Sequence, residues 1–213
     1  MRIVIGLIAA AAFAAPAQGE VLQKSDAGFV TRATATVAKP PLEAWLALIA
    51  PAKWWNKAHS WSGDSANLYL DPQATGCFCE FMPFPKDAPA GTRRGSVEHM
   101  HVIYADPGKV LRMSGSLGPL QSEALNATLT VTLKPVEGGT RILFEYVVGG
   151  YMRFKTDEIA PAVDGVMSEQ LGRLAAYLGP VGEAAPEAVP EPPAPEPEKA
   201  EPALEEPKFE PSR

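Results

Sequence analysis

The chain has 213 residues, with 19 Lys and Arg against 25 Asp and Glu and a formal charge of −6. Nine Glu against Lys199, Lys208 and Arg213, all between Glu183 and Arg213, account for that whole excess, so the body before them is charge-balanced. A charge-balanced body argues against nucleic-acid binding, which wants a basic patch, and two cysteines are too few for a disulfide framework.

The chain opens on the pattern of an export leader. Arg2 supplies a short basic region, and Ile3 to Ala14 is apolar apart from Gly6. Ala15-Pro16-Ala17 then matches a small-residue cleavage site, with Ala17-Gln18-Gly19 as a second option. The apolar run falls short of the roughly 20 residues that a membrane span needs. The expectation is a signal peptide over 1–19, and a secreted or periplasmic chain that does not span the membrane once the leader is removed.

Phe29 to Val37 alternates polar and small apolar residues and is predicted to be a strand. Pro40-Pro41 ends it and suits the first turn of a helix. Leu42, Trp45, Leu46 and Ile49 keep helical spacing and are expected on its buried face, with Pro51 as the stop. A short helix or turn follows near Trp54 to Lys57. From Asn67 the period changes to two, and strands are expected at Leu68–Leu70, Cys77–Phe81, Gly95–Tyr104, Val110–Gly115, Leu125–Lys134 and Thr140–Val148. In the strand at Leu125–Lys134, Ala127, Leu129, Val131 and Leu133 face one way and Thr128, Thr130 and Thr132 the other. Asp71-Pro72, Asp106-Pro107-Gly108 and Glu137-Gly138-Gly139 supply the turns. A long helix comes last, with Val163, Met167, Leu171, Leu174 and Leu178 at helical spacing and Gly179-Pro180 as its end.

From Glu183 onward the chain holds nine Pro and nine Glu, with Phe209 its one aromatic residue. Such a segment buries too little apolar surface to offset its ordering entropy. A disordered Pro/Glu-rich acidic tail is expected over 181–213. It would serve either as a solubilising spacer or as an arm that docks on an envelope protein partner.

One domain over 27–180 remains, of α+β class. About seven strands form a curved antiparallel sheet wrapped on the long C-terminal helix, with one or two short helices after the first strand. A helix laid across a concave sheet leaves a hollow beneath it, the usual form of a small-molecule site.

Several stretches carry a resemblance to a known family. They are Val37-Ala38-Lys39-Pro40-Pro41-Leu42-Glu43-Ala44-Trp45, Pro51-Ala52-Lys53-Trp54-Trp55, and Gly76-Cys77-Phe78-Cys79-Glu80. With them go Gly95-Ser96-Val97-Glu98-His99-Met100, Ala105-Asp106-Pro107-Gly108-Lys109 and Gly115-Ser116-Leu117-Gly118-Pro119-Leu120-Gln121. Together with the order of elements they resemble the START-like, or SRPBCC, superfamily with its Bet v 1-like helix-grip fold, from roughly Phe29 to Leu178. The resemblance implies that fold. It leaves activity open, because members bind lipids, hormones or polyketides, cyclise substrates or regulate partners, and a fold does not transfer a reaction.

All three histidines, both cysteines and three of the four tryptophans fall between Trp54 and His101. On a strand, Cys77 and Cys79 would share a face with Cα atoms about 6.6 Å apart, near the upper limit for a disulfide. A disulfide made through a bulge at Gly76, two free thiols on a cavity wall, and metal ligation all remain open. His99 and His101 would likewise share a face. Either they hold a metal with Cys77 and Cys79 or with His59, or they are polar residues bonded to neighbouring strands, which is the favoured reading. Glu80 and Glu98 take the alternate positions, opposing His99 as candidate acid–base partners or lying as charge on the convex side. Trp54, Trp55, His59 and Trp61 would rim a cavity mouth. Tyr104, Met113, Phe144, Tyr146, Tyr151 and Met167 are further candidate wall residues, alongside Cys77, Cys79 and His99.

No serine-nucleophile elbow, zinc-protease helix, phosphate loop or dinucleotide fingerprint is present in the sequence, and no cofactor is expected. The expected function is binding of a small hydrophobic ligand, whether lipid, aromatic or polyketide-like. The alternatives are a cyclase or hydrolase working through His99 with Glu80 or Glu98, a metal site on Cys77, Cys79, His99 and His101, and an envelope interaction module acting through the tail.

Overall fold

A computed structural model describes residues 17–179 and 181. Most of the leader and of the acidic tail therefore lie outside the described residues. Among the described residues, eight antiparallel strands and two α-helices make up the fold. The strands are β1 Gln18–Ser25, β2 Gly28–Val37, β3 Leu68–Leu70, β4 Cys77–Phe81, β5 Ser96–Asp106, β6 Val110–Gly115, β7 Ala124–Val136 and β8 Gly139–Tyr151. The helices are α1 Pro41–Leu48 and α2 Thr156–Leu178. One open sheet holds all the strands in the order β1-β2-β8-β7-β6-β5-β4-β3.

The expected seven strands are eight. The additional one, β1, has the sequence QGEVLQKS, whose polar residues give no clean alternation, and it overlaps the leader junction. Long-range pairing with β2, and α2 lying against it, make it a strand. The folded unit thus starts before residue 27. Gly19 lets the two elements approach closely, since a Cβ at that position would stand 1.8 Å from Ser168 Oγ and 2.9 Å from Asp164 Oδ1 on α2 and would force those side chains to move.

Inward residues of the long strands form the core. Ala127, Leu129, Val131 and Leu133 of β7 are all buried, on the face the alternation assigns them. Ile142, Phe144, Tyr146 and Val148 continue the layer on β8, and Met167, Leu171, Leu174 and Leu178 of α2 close it from the other side. The helix begins at Thr156, with Asp157 and Glu158 in its first turn where the positive end of the helix dipole favours acids.

In α1 the expected stripe is corrected. Leu42 and Leu46 are exposed, and the buried side carries Ala44, Trp45, Ala47 and Leu48. A short helix that is apolar almost all round offers two stripes. The one holding two alanines lets the backbone come closest to the layer beneath, leaving the leucines outside.

Candidate functional site

The sheet has two textures. Pairing of β2 with β8 and of β8 with β7 is unbroken, whereas the register slips between β4 and β5, between β5 and β6 and, at the opposite edge, between β1 and β2. On β4, Phe78 pairs with Met100 and Cys79 with Glu98, so His99 is the extra residue of a bulge. On β6, Met113 pairs with Val102 and Arg112 with Tyr104, so Ile103 is a second extra residue. A bulge re-aims the side chain it carries. His99 and Met100 are both buried while His101 is exposed, which overturns the expectation that the two histidines share a face. Gly115 of β6 fits this bend, since a Cβ there would come within 2.8 Å of His99 O, and its φ of +144° disfavours a side chain.

His99 turns inward onto Glu80, with Nε2 3.0 Å from Oε2. Glu80 is 0% exposed and His99 5%. Two backbone N–H groups also donate to the same carboxylate, that of Trp61 at 3.0 Å and that of Ser62. Burial works to raise the pKa of Glu80, but the Ser62 and Trp61 donors together with His99 outweigh it, and the carboxyl lies below its usual range. For His99, burial dominates over the attraction of Glu80 and lowers the pKa, so the ring is neutral at neutral pH. The Phe78 ring lies 4.9 Å from the imidazole at 30° and 5.0 Å from the Trp55 ring, edge-on.

The segment from Trp54 to Trp61 runs over this pair and is tied to α2. Gln170 Oε1 accepts the Asn56 backbone N–H at 2.9 Å, and Arg173 Nε donates to Trp54 O at 2.8 Å. Glu169 takes the Asn56 side-chain amide and lies 3.1 Å from His59 Nε2. The Asn56 bond above all holds the Glu169 carboxyl below its ordinary value, against the upward push of burial, and His59 adds to it.

Under this segment lies a cavity of about 320 Å³. Trp55, His59, Trp61, His99, Tyr146 and Met167 line it, together with the apolar face of α2 from Ile159 to Val166 and the turn Leu117 to Leu120. No Lys, Arg, Asp or Glu is in its wall among the described residues. Tyr146 is buried, its oxygen accepts the Leu117 backbone N–H at 3.1 Å, and burial pushes its hydroxyl well above the ordinary phenol range.

Other expected wall residues fall elsewhere. Trp54 is buried in the core with its indole N–H on Ala47 O at 2.9 Å, Met113 and Phe144 are core packing, and Tyr151 is exposed. Tyr104 is exposed, with the Arg112 guanidinium 5.9 Å from its ring centre, because the Ile103 bulge turns it outward. Cys77 and Cys79 alternate away from Phe78 and Glu80 and form a disulfide with Cα atoms 5.4 Å apart, closer than a regular strand allows. Neither free thiols nor metal ligands remain at this pair, and no group of three or more His, Cys, Asp and Glu converges among the described residues. Glu98 is exposed beside His101, with Oε1 3.5 Å from Nδ1, so Glu80 alone pairs with His99.

Two parts of the wall were not foreseen. Ile159, Ala162, Val163 and Val166 form one stripe at i, i+3, i+4 and i+7 beside the core stripe of α2, a signal legible in the spacing. The Leu117–Leu120 turn carries no such signal, because its position depends on the bent end of β6.

No protein-family model matches the chain, and no curated protein does. Solved structures do. An uncharacterized Rhizobium leguminosarum protein is 15% identical with a TM-score of 0.52, over 77% of this chain and 98% of its own. A Mycobacterium smegmatis protein is 18% identical at 0.49, over 76% and 97%, and a Rhodobacter sphaeroides protein 20% identical at 0.48, over 76% and 98%. At this identity the first likeness speaks to the fold alone, a curved antiparallel sheet with a C-terminal helix, which is helix-grip-like.

Proposed function

We propose that this chain is a START-like, SRPBCC-type protein that holds a small hydrophobic molecule in the cavity between the sheet and α2. The observation that carries the reading is the cavity itself. About 320 Å³ lies at the low end of small-molecule sites, and its wall is apolar and aromatic with a few polar atoms. Tethers from Asn56, His59 and Trp54 to α2 hold the roof in place, so the hollow is a built feature of the free protein. The leader pattern supports export to a secreted or periplasmic location. Cleavage after Ala17 would leave β1 whole, since that strand starts at Gln18.

The test is thermal. A ligand that binds only the folded state raises its stability by RT ln(1 + [L]/Kd), about 2.7 kcal/mol at a hundred-fold excess over Kd. A panel of lipids and aromatic compounds is expected to contain members that raise the Tm, and a uniformly silent panel would contradict the proposal.

A second reading, acid–base catalysis of the cyclase or hydrolase kind, is favoured by the buried Glu80–His99 pair at the cavity wall. It requires turnover that His99→Gln removes while binding persists. Simple binding requires no turnover in either protein.

A further inference from the structure

The cavity wall is apolar, but it is not featureless. His99 has two ring nitrogens, and Glu80 takes one of them, Nε2. The carboxylate already accepts two backbone N–H groups, which can only donate, so it is the acceptor in the His99 bond as well. The single proton of the neutral ring therefore sits on Nε2, and Nδ1 is a bare lone pair. Nδ1 makes no hydrogen bond among the described residues. It is also not sealed in the interior, as the unpaired atoms of Asp164, Ser168 and Gln170 are. His99 is a wall residue of the cavity, and Nδ1 is its one ring nitrogen without a partner among the described residues. Tyr146 contributes the opposite polarity. Its oxygen accepts from Leu117, and its O–H proton has no acceptor among the described residues.

Resting on the binding reading above, we infer that the ligand is an uncharged apolar molecule bearing a hydroxyl group, a phenol or an alcohol, whose O–H donates to His99 Nδ1. A hydroxyl both donates and accepts, so it suits the Nδ1 acceptor of His99 and the O–H donor of Tyr146. A carboxylate cannot donate to Nδ1. It would also sit near ionised Glu80 with no Lys or Arg in the wall to offset its charge. A plain hydrocarbon fills the volume and leaves both polar atoms unmet, at the cost of an unsatisfied buried group.

The experiment is equilibrium dialysis of the full chain against three compounds with one skeleton, naphthol, naphthalene and naphthoate. Naphthol is expected to bind about ten-fold more tightly than either of the others, the worth of one hydrogen bond that would otherwise go unmade. In His99→Phe the preference of naphthol over naphthalene is expected to fall to about one-fold, with naphthalene affinity kept. Should that variant fail to fold, the wild-type series decides alone. Equal binding of naphthol and naphthalene, or tightest binding of naphthoate, overturns the hydroxyl assignment and leaves the apolar cavity standing. Binding of none of the three overturns both.

Discussion

The two halves of the sheet are built to different rules. In the half formed by β2, β8 and β7, strands of ten to thirteen residues pair without a single slip, and along their middles alternate side chains enter the core, with Tyr146 reaching the cavity wall. In the half formed by β6, β5 and β4, the register breaks twice and a histidine and a glutamate are buried among apolar residues. The regular half is a scaffold on which α2 rests. The irregular half spends its bulges on turning His99 inward, and the Glu80 carboxylate that receives it also pins the Trp61–Ser62 backbone above the cavity. Regular pairing maximises burial, and departures from it mark where a side chain has been aimed at something other than its neighbours.

The largest effect that separates the halves should come from the scaffold. Phe144→Ala removes a ring that is 2% exposed in the unbroken β8 ladder and is expected to cost about 3–5 kcal/mol in chemical denaturation. Ligand affinity per folded molecule should be unchanged, because Phe144 is not part of the cavity wall. A loss of affinity in the folded fraction would erase the distinction between the halves.

A smaller loss of stability with a larger loss of site geometry is expected for Glu80→Gln. One side-chain oxygen then becomes an N–H₂, facing either the Ser62 donor or those of Trp61 and His99, which should cost about 1–3 kcal/mol. Hydrogen exchange at Trp61 and Ser62 should rise while β7 and β8 keep their protection. Uniform loosening of the whole sheet would show that the pair is mere packing.

The gentlest probe is pH. His99 has a folded pKa below the ordinary 6.5, so the unfolded chain takes up a proton first as pH drops through that value, and stability falls from there downward. Glu80 has a folded pKa below 4.5, so its contribution is complete above 4.5 and is lost as pH falls further. Stability is therefore expected to be flat above about pH 6.5 on this account and to decline in two limbs below it. His99→Gln should remove the upper limb alone. A wild-type curve that stays level down to pH 4.5 would contradict a buried neutral His99.

Much of the scaffold was legible in the order of residues, and the site was legible mainly as a neighbourhood. Strands β3, β4 and β6 have the bounds their alternation predicts, and the inward stripe of β7 follows from Ala127, Leu129, Val131 and Leu133. Alternation encodes a strand whose two faces meet different solvents. It cannot encode a bulge, because an inserted residue looks like any other until the partner strand is known. Hence the shared face expected of His99 and His101 failed, while the crowding of Trp55, His59, Trp61 and His99 in sequence did become proximity in space. Glu80 was visible only as one of two alternating acids, and its burial depends on backbone donors nineteen and eighteen residues away. Polar β1 and the choice of buried face on α1 are set by neighbours that no local pattern announces.

Beneath all of this lies the claim that the space under Trp55 and Trp61 is hollow, and substituting a large side chain into it asks the question most directly. Val163→Trp places an indole from α2 into the cavity that Val163 lines. The expected result is stability within about 1 kcal/mol of the wild type, as the ring fills empty volume, together with loss of ligand binding. A fall of about 2 kcal/mol or more, the signature of an overpacked core, with binding intact, would contradict the account.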